Sequence, residues 1–319
     1  MSSRSLSSAA LAGIAAWTIA CAPVVRSTVT GPLEPRQVAE FWEDVDPRSR
    51  DLFHGVAGRE VQPDPKAVYT VKATDTTGFS ISYDVEDESG VEWSVKIGDE
   101  AQSEVTASRI VWAMGYQQPP NAYLPRWHWR EGEARRLEKG GRFRPKLPTL
   151  ENAGTWAWHE NPFVGTQAYR GLLVLMMILN STDLKDDNNA VYERRKDDRL
   201  IGRWYAVKDL GATLGTTGRM DPKRNDIEAF EPHGFITGVQ GRRVTFAFRG
   251  RHQELLRIIT PDDVVWMCNR LARLTPAQWN DAFRAGGYDE ALTARFVRRI
   301  QQKIAEGQAL QSRAGGRQS

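Results

Sequence analysis

The feature that most constrains the fold is an apolar run that ends abruptly in a polar segment. The run "FVGTQAYRGLLVLMMILN" carries a single charge, Arg170. A helix that is apolar on nearly all sides is typical of the centre of a protein core. The segment "NSTDLKDDNNAVY" follows directly and places Asp, Lys and Asn side chains at the end of that helix. Asp and Asn favour turns because they bond nearby backbone. The segment is therefore either a simple connection or part of a site whose other members lie elsewhere.

The composition describes an ordinary folded protein. The 319 residues are 40% hydrophobic and 26% charged, which is enough to bury one large core or two smaller ones. The 43 basic and 40 acidic residues leave a net charge of only +3. Proteins that bind nucleic acid usually concentrate basic residues on one face, so this balance argues against a nucleic-acid partner.

Residues 1–22 have the pattern of an export signal. Arg4 is followed by the uncharged stretch "LSSAALAGIAAWTIACA", which ends in small residues. The "TIA" before Cys21 resembles the lipid-attachment box of bacterial lipoproteins, with Thr18 where Leu is usual. We expect export to the periplasm or cell envelope. If Cys21 is lipidated, the exported protein is attached to the membrane. The alternative is a disordered or membrane-anchoring N-terminus.

The two cysteines of the chain are not expected to form a disulfide. If Cys21 is lipidated or removed, Cys268 has no partner within the chain. The stretch "DDVVWMCNRLARL" places Cys268 on a predicted helix, where it is expected to be a core thiol.

The first third of the chain predicts an extended segment followed by a small β-rich lobe. Residues 23–66 are rich in Pro and are expected to form an extended wrap or linker with one short helix. The lobe, residues 67–150, begins with three alternating stretches joined by turns, which predict an antiparallel meander. The spacing of "DEAQSEVTASRIVWAMGY" then predicts a helix that begins at Asp99 or Glu100 and ends at Gly115. Two more strands, "NAYLPRWHW" and "GRFRPKL", are expected on either side of a solvated loop, "REGEARRLEKGG".

Residues 151–310 predict a larger, mainly helical lobe. It contains the central apolar helix, a strand in "RLIGRWYAVKDLGATLG" that breaks at Asp209, and a hairpin in "GFITGVQGRRVTFAFRG". Thr260 and Thr275 are each followed by Pro, which predicts the starts of two helices. Residues 311–319 are expected to be a disordered tail. The predicted fold class is α+β.

Polar residues with a shared chemistry occur in a definite order along these elements. They are Lys96 on the third strand, Glu104 early in the next helix, Asp183, Lys185 and Asn188 in D-x-K-x-x-N, and Asp209 at a strand end. This order resembles the signature set of the protein-kinase family. The stretch "DLKDDN" is similar to the "DLKPEN" of eukaryotic protein kinases, and "DLG" is similar to "DFG". The resemblance covers about residues 68 to 215 and is closer to divergent bacterial, lipid or secretory-pathway kinases than to typical Ser/Thr kinases.

The resemblance implies a bilobal, protein-kinase-like fold, with a small antiparallel β-lobe carrying one helix and a larger, mainly helical lobe. It also implies ATP and Mg²⁺ as cofactors, because phosphoryl transfer depends on positioning and charge neutralisation. Lys96 would pair with the α- and β-phosphates, and Glu104 would hold its amine. The turn "DTTG" would cover the phosphates through Thr76, Thr77 and Gly78.

The remaining roles implied by the resemblance concern the metal and the acceptor. Asn188 and Asp209 would bind Mg²⁺ through hard oxygen atoms. Spacing favours Asn188 over Asn189, although either is a candidate. Asp183 would accept the proton of an unidentified acceptor hydroxyl, and Lys185 would stabilise the transferring phosphoryl group. The partners are then a nucleotide and an unknown acceptor.

Several positions depart from the family pattern. The "DTTG" turn has one glycine, Gly78, in place of G-x-G-x-x-G, and only 8 residues separate Lys96 from Glu104. These two departures concern residues expected to contact the nucleotide. Ser181 and Thr182 replace the usual His-Arg before the catalytic Asp, and A-P-E is absent after "DLG". The acceptor is left open.

Other interpretations of the same residues stay open. Lys96 could be a solvated strand residue, and Glu104 could be a first-turn acid favoured by the helix dipole. An exported pseudokinase, or a scaffolding or binding lipoprotein without catalysis, is the alternative function, and export favours it because ATP is scarce outside the cytoplasm. The five histidines show no H-x-x-H or H-E-x-x-H spacing, which argues against a zinc site.

Overall fold

The structure is a computed structural model that describes residues 25–311. The expected export signal, with Cys21, and the tail after residue 311 lie outside the described residues. Within the described part, no helix has both the length and the apolar character needed to cross a bilayer.

The described chain is a mixed α+β fold. Its helices are α1 (Pro35–Ala39), α2 (Glu100–Ala113), α3 (Gln167–Ile178), α4 (Ile227–Phe230), α5 (Pro261–Leu271), α6 (Pro276–Ala285) and α7 (Glu290–Gln308). Its strands are β1 (Arg26–Ser27), β2 (Val68–Asp75), β3 (Ser82–Glu86), β4 (Glu92–Ile97), β5 (Ala122–Glu131), β6 (Ala134–Pro145), β7 (Leu150–Gly154), β8 (Glu160–Asn161), β9 (Asn189–Lys196), β10 (Arg199–Val207), β11 (Ile236–Gln240) and β12 (Arg243–Phe246).

The first large unit is a closed barrel with the strand order β2-β3-β4-β6-β5. The predicted meander is confirmed, because β2, β3 and β4 pair antiparallel in sequence order. The parallel pairing of β2 with β5 closes the barrel. Alternate side chains, including Tyr69, Val95, Trp127 and Phe143, point inward and form a core of their own.

The prediction of a solvated loop in "REGEARRLEKGG" is wrong. These residues form the ends of β5 and β6, which pair continuously from Ala122–Phe143 to Glu131–Ala134. The chain turns at Gly132, whose φ is +55°. Charge does not break this hairpin because it extends beyond the core, where both faces can carry polar side chains.

Helix α2 joins the barrel to the rest of the molecule. It ends beside Gly115, as predicted, where φ is +100° and a Cβ would lie 2.1 Å from the carbonyl oxygen of Glu43. The apolar residues in the second half of the helix, such as Ile110 and Val111, belong to the larger hydrophobic core rather than to the barrel core. Its first turns pack against β4 and β6, so acidic residues there face the barrel.

The larger core surrounds α3. Thr166 caps this helix, and every residue from Leu172 to Ile178 is buried, as expected for a central helix. Helices α5 and α7 pack against it, and Thr260 and Thr275 form the predicted capping boxes at α5 and α6. Cys268 is buried on α5, which confirms the core thiol, and burial raises its pKa to about 12.

A three-stranded sheet in the order β10-β9-β7 lies beside this core. Strand β9 was not expected, because its outer half is the charged stretch "ERRK". The β9–β10 hairpin begins with the pair Asn189–Val207. The ends of the two strands therefore bring Asn188 and Asp209 to the same place.

Candidate functional site

The centre of the candidate site is the amine of Lys96 on β4. Trp93, Val95 and Ile97 point into the barrel, so strand alternation directs Lys96 outward, toward α2 and the end of β10. Its Nζ donates to Oδ2 of Asp209 at 2.7 Å. The side chain of Lys96 is buried. Alternation along β4 explains why it points away from the barrel interior.

Two acidic residues of α2 also approach this amine. Oε2 of Glu104 lies 3.1 Å from Lys96 Nζ, and Oε2 of Glu100 lies 3.6 Å from it. The two glutamates are four residues apart and therefore share one face of the helix. Lys96 thus contacts three carboxylates, which include Glu104, its expected partner, and Asp209, which the sequence assigned to the metal.

Glu104 is fully buried and is surrounded by cations. Its Oε1 accepts a hydrogen bond from Nη2 of Arg144 at 2.8 Å and lies 2.9 Å from Nε of Arg142. Arg144 also donates to the backbone carbonyl of Lys208 at 2.6 Å. Together with Lys96, three positive groups compensate one carboxylate that has no access to water. Burial of this charge is tolerable only because it is paired.

Glu100 has a different electrostatic balance. Burial raises its pKa, and Lys96 only partly opposes that effect. Its other contacts are Arg224 at 3.2 Å and the hydroxyl of Ser80 at 3.1 Å. Neither neighbour was predicted from the sequence. Arg224 extends the site toward the segment that follows "DLG", and Ser80 extends it toward the β2–β3 loop.

Lys96 and Asp209 shift each other's pKa. Burial disfavours the charged form of Lys96, but Glu104 and Asp209 outweigh burial and raise the pKa of the amine. Burial also opposes ionisation of Asp209, yet the charge and hydrogen bond of Lys96 and the Gly211 N–H lower the pKa of Asp209 to about 2. Both groups are therefore ionised at neutral pH.

The segment from Asp183 to Asn188 lies against the same centre. The backbone N–H groups of Lys208 and Asp209 donate to the carbonyl of Asn188 at 2.8 and 3.1 Å. The amide nitrogen of Asn188 donates to the carbonyl of Asp183 at 2.8 Å. Oδ2 of Asp183 pairs with Nζ of Lys185 at 2.8 Å. The structure thus brings the D-x-K-x-x-N segment and "DLG" together through direct contacts.

The geometry separates the two asparagines that the sequence left open. Asn189 is fully buried, its amide donates to the carbonyl of Trp156 at 3.0 Å, and its Oδ1 accepts no hydrogen bond from a described residue. Asn188 is only partly buried. Among the described residues, no donor bonds to Oδ1 of Asn188, whereas its nitrogen is engaged with Asp183. Because Asn188 is partly open to solvent and Asn189 is not, the amide oxygen of Asn188 is the more accessible of the two for a ligand.

Thr182, one of the two residues that replace the usual His-Arg pair, and nearby Asn180 form structural hydrogen bonds. The hydroxyl of Thr182 bonds both the N–H and the carbonyl of Gly218, and the N–H of Thr182 donates to Ala212. Asn180, whose φ is +53°, donates to the carbonyl of Gly215 and accepts from the buried Nζ of Lys303 at 2.7 Å. These bonds hold the segment after "DLG" against the start of the D-x-K-x-x-N segment.

The predicted phosphate-covering turn is not brought to the centre. Thr76, Thr77 and Gly78 are exposed, and Thr77 bonds only to the carboxylate of Asp75. Within residues 25–311, no hydrogen bond or ion pair joins these three residues to Lys96 or Asp209.

The next residues of the same loop do reach the site. The hydroxyl of Ser80 donates to Glu100, and the guanidinium of Arg224 lies 3.8 Å above the ring of Phe79. The β2–β3 loop therefore contacts the cluster two residues later than the sequence predicts.

A cavity of about 600 Å³ adjoins the cluster. Ser94, which points to the same side of β4 as Lys96, lines it, and so do Arg144 and Lys208. The rest of its lining comes from the β6–β7 connection and nearby strands: Pro145, Lys146, Leu147, Pro148, Leu150, Glu151, Asn152 and Tyr192. Pockets for small molecules and cofactors commonly have this size and combine apolar walls with a few polar groups.

The residues present fit a nucleotide with its magnesium ion. The carboxylate of Asp209 and the amide oxygen of Asn188 are hard oxygen donors on adjacent backbone, and such donors suit Mg²⁺. Each carboxylate oxygen of Asp209 already accepts one hydrogen bond, from Lys96 or from Gly211, but an ionised carboxylate offers about four lone-pair positions. The described ion pairs around Lys96 contain four cations and three carboxylates, which leaves an excess of positive charge for phosphate.

The site contains residues that the sequence analysis missed. Glu100 could have been found, because it lies four residues before Glu104 on the same helical face. Arg142 and Arg144 alternate on β6 and so face one side, but nothing local indicates that this side meets α2.

Comparison with known proteins gives only weak likenesses. No protein-family profile matches the chain, and no curated protein matches it. The proinflammatory kinase CtkA of Helicobacter pylori is similar over 76% of this chain and 95% of its own, with a TM-score of 0.47 and 9% identity. The Rio2 kinase of Chaetomium thermophilum, in an ADP/Mg²⁺-phosphoaspartate complex, is similar over 76% of this chain and 72% of its own, with a TM-score of 0.33 and 13% identity.

Proposed function

We propose that this chain is an ATP- and Mg²⁺-dependent phosphotransferase of the kinase-like type, with an acceptor that is still unidentified. The observation that carries the proposal is the contact of Lys96 Nζ with Asp209 at 2.7 Å and with Glu104 at 3.1 Å. Three residues from separate elements meet there in the combination that phosphoryl transfer requires.

Lys96 would hold the phosphates of the nucleotide. Its pKa is raised, so the amine is a full positive charge at neutral pH. Glu104 fixes the amine in position and is itself held by Arg142 and Arg144. A rigid, buried support of this kind reduces the reorganisation needed when charge develops at the transferring group.

Asp209 and Asn188 would hold the magnesium ion through oxygen atoms. When bound, Mg²⁺ would neutralise phosphate charge and orient the transferring group. Asp183 would accept the proton of the acceptor hydroxyl, and Lys185, 2.8 Å from it, would stay close to the transferring phosphoryl group.

The 600 Å³ cavity would hold the base and sugar of the nucleotide. Tyr192, Leu147 and Leu150 provide apolar surface for a flat ring, and Arg144 and Lys208 stand on the side toward the phosphates. The cavity and the Lys96 cluster share Arg144, so the two parts of a nucleotide would be bound by adjoining residues.

Single-turnover assays with γ-labelled ATP and Mg²⁺ test this proposal by following label on the protein and released phosphate. Asp183→Asn should slow label transfer or release by at least about 100-fold, because a proton acceptor is removed. Asp187→Asn is the matched control, since Asp187 lies in the same segment but is exposed. Equal rates in both variants would contradict the assigned role of Asp183.

One outcome would favour the alternative function. ATP binding without any label transfer or release, unchanged by Asp183→Asn, would indicate a pseudokinase or another binding module. Absence of ATP binding would contradict the nucleotide site itself.

We also propose export, which rests on the sequence of residues 1–22 alone. The full chain fused to a reporter that is active only outside the cytoplasm should give signal, and deletion of residues 1–22 should abolish it. Cys21→Ser should release the protein from the membrane fraction if Cys21 carries a lipid. An inactive reporter on the full chain would contradict export.

A further inference from the structure

A second group of polar side chains lies apart from the Lys96 cluster. Nε2 of His159 is 2.8 Å from Oε1 of Glu254, and Nδ1 of His252 is 3.1 Å from the same oxygen. The two imidazole rings are 4.8 Å apart at an angle of 77°. One potential ligand atom from each residue falls within 4.8 Å of the other two. The two ring nitrogens therefore meet at one carboxylate oxygen of Glu254.

We propose that His159, His252 and Glu254 form a binding site for a divalent transition metal of the zinc class. Two histidines and one glutamate are a donor set that Zn²⁺ accepts, with one coordination position left open. Imidazole nitrogen is favoured by zinc-class metals over Mg²⁺ and Ca²⁺, so this site differs in metal preference from Asp209 and Asn188. The inference does not depend on the proposed phosphotransferase function.

The distances suit a metal with little movement. Ligand bonds of about 2.0–2.1 Å at tetrahedral angles separate neighbouring ligand atoms by roughly 3.3 Å. The two His–Glu separations of 2.8 and 3.1 Å are slightly shorter, as expected for hydrogen bonds, and the ligand nitrogens of the two histidines lie within 4.8 Å of each other. Small side-chain rotations would open a place for an ion.

Hydrogen bonds and buried neighbours hold the backbone around these residues in place. His252 has a left-handed backbone, with φ 59° and ψ 42°, and its carbonyl accepts from the N–H of Leu255. Leu255 and Leu256 of the same turn are buried in the larger core and anchor Glu254 between them and His252. On the other side, the carbonyl of His159 accepts from the N–H of Arg26. Ligands held on anchored backbone lose little entropy when they bind an ion.

The surroundings allow access from solvent. A cavity of about 390 Å³ is lined by His252, Glu254, Arg219 and Arg251. The open coordination position would face this cavity. The two arginines oppose cation binding by like charge, so the affinity should be moderate, below that of a closed four-ligand site.

The site lies next to the D-x-K-x-x-N segment. The N–H of Trp158, adjacent to His159, donates to Oδ1 of Asp186 at 2.8 Å. Gly250, two residues before His252, approaches Thr182 so closely that a Cβ would lie 2.4 Å from its carbonyl oxygen. A bound ion would link these two supports of the segment and would stabilise the folded protein by mass action.

Metal binding by the full chain, with any affinity tag removed, provides the test. Chelator-treated protein should bind one equivalent of Zn²⁺ in competition with a chromophoric chelator, and Zn²⁺ should raise Tm by several degrees. His159→Ala and Glu254→Gln should each weaken binding by at least roughly tenfold, since each removes one of three ligands. His128→Ala is the matched control, because His128 is exposed on β5, and its binding should equal that of the wild type.

The variants separate loss of a metal ligand from loss of folding. Glu254→Gln retains the shape and hydrogen-bonding capacity of the side chain, so a folded variant with weak binding separates ligation from packing. Binding by His159→Ala/His252→Ala as tight as that of wild type would overturn the proposal, because the ion would then be held elsewhere. Absence of Zn²⁺ binding by the wild type would overturn it as well.

Discussion

Replacing Glu104 by Gln tests the electrostatic support of the site most severely. Glu104 is fully buried, and Lys96, Arg142 and Arg144 all lie within 3.1 Å of its carboxylate. Removal of one partner from a buried ion pair typically costs about 3–5 kcal/mol, because the remaining charge stays buried without compensation. Gln keeps an oxygen that can accept from Arg144, so we expect the lower end, about 3 kcal/mol.

The matched control is Glu100→Gln, one turn earlier on the same helix face. Burial raises the pKa of Glu100, so its charge is already disfavoured, and a neutral amide can still accept from Ser80. We expect this change to cost less than about 1 kcal/mol, within the range of ordinary substitutions.

Urea denaturation followed by tryptophan fluorescence would measure both changes. The Glu104→Gln midpoint should fall with the slope unchanged, and Tm should fall by roughly 6–12 °C. The reasoning would be refuted if Glu104→Gln cost less than about 1 kcal/mol, or if Glu100→Gln cost as much as Glu104→Gln.

Two further predictions concern pH and packing. The pKa of Asp209 is about 2 rather than 3.8, so its ionisation stabilises the protein above about pH 4, and that stabilisation is lost as pH falls toward 2. With its side chain one-third exposed, the contribution is roughly 1–2 kcal/mol. The stability difference between wild type and Asp209→Asn, measured by urea titration across that range, should shrink as pH falls, and a constant difference would contradict the ion pair. A Cβ at Gly307 would lie 2.3 Å from Sγ of Cys268, so Gly307→Ala should cost about 1–3 kcal/mol despite the better helix propensity of Ala. Adding Cys268→Ala should recover part of that cost in the same assay, whereas strict additivity would show that the two atoms do not clash.

The sequence predicted those parts of the fold that depend on local patterns. Alternation identified β2, β3 and β4, and capping residues identified the starts of α5 and α6. Strand β9 was not predicted, because the charged residues of its second half are typical of a loop. The strand is stabilised by pairing with β7 and β10, which its own sequence pattern does not indicate.

The candidate site shows the same division. The strand position of Lys96 and the helix position of Glu104 follow from periodicity, and the structure brings the two side chains within 3.1 Å of each other. Arg144 could not be assigned, because its contact with Glu104 spans 40 residues and depends on how β6 packs against α2. The His159–Glu254 contact spans 95 residues, so a search for closely spaced histidines could not find it.

Calorimetric titration of the full chain with ATP in the presence of Mg²⁺ tests the central claim most directly. We expect one bound ATP per chain, and Asp209→Asn should weaken that binding at least roughly tenfold, because it removes the anionic oxygen donor from the metal. Removal of Mg²⁺ with a chelator should weaken ATP binding to the wild type in the same way. No detectable binding, or identical binding by wild type and Asp209→Asn with and without Mg²⁺, would contradict a nucleotide site at Lys96 and Asp209.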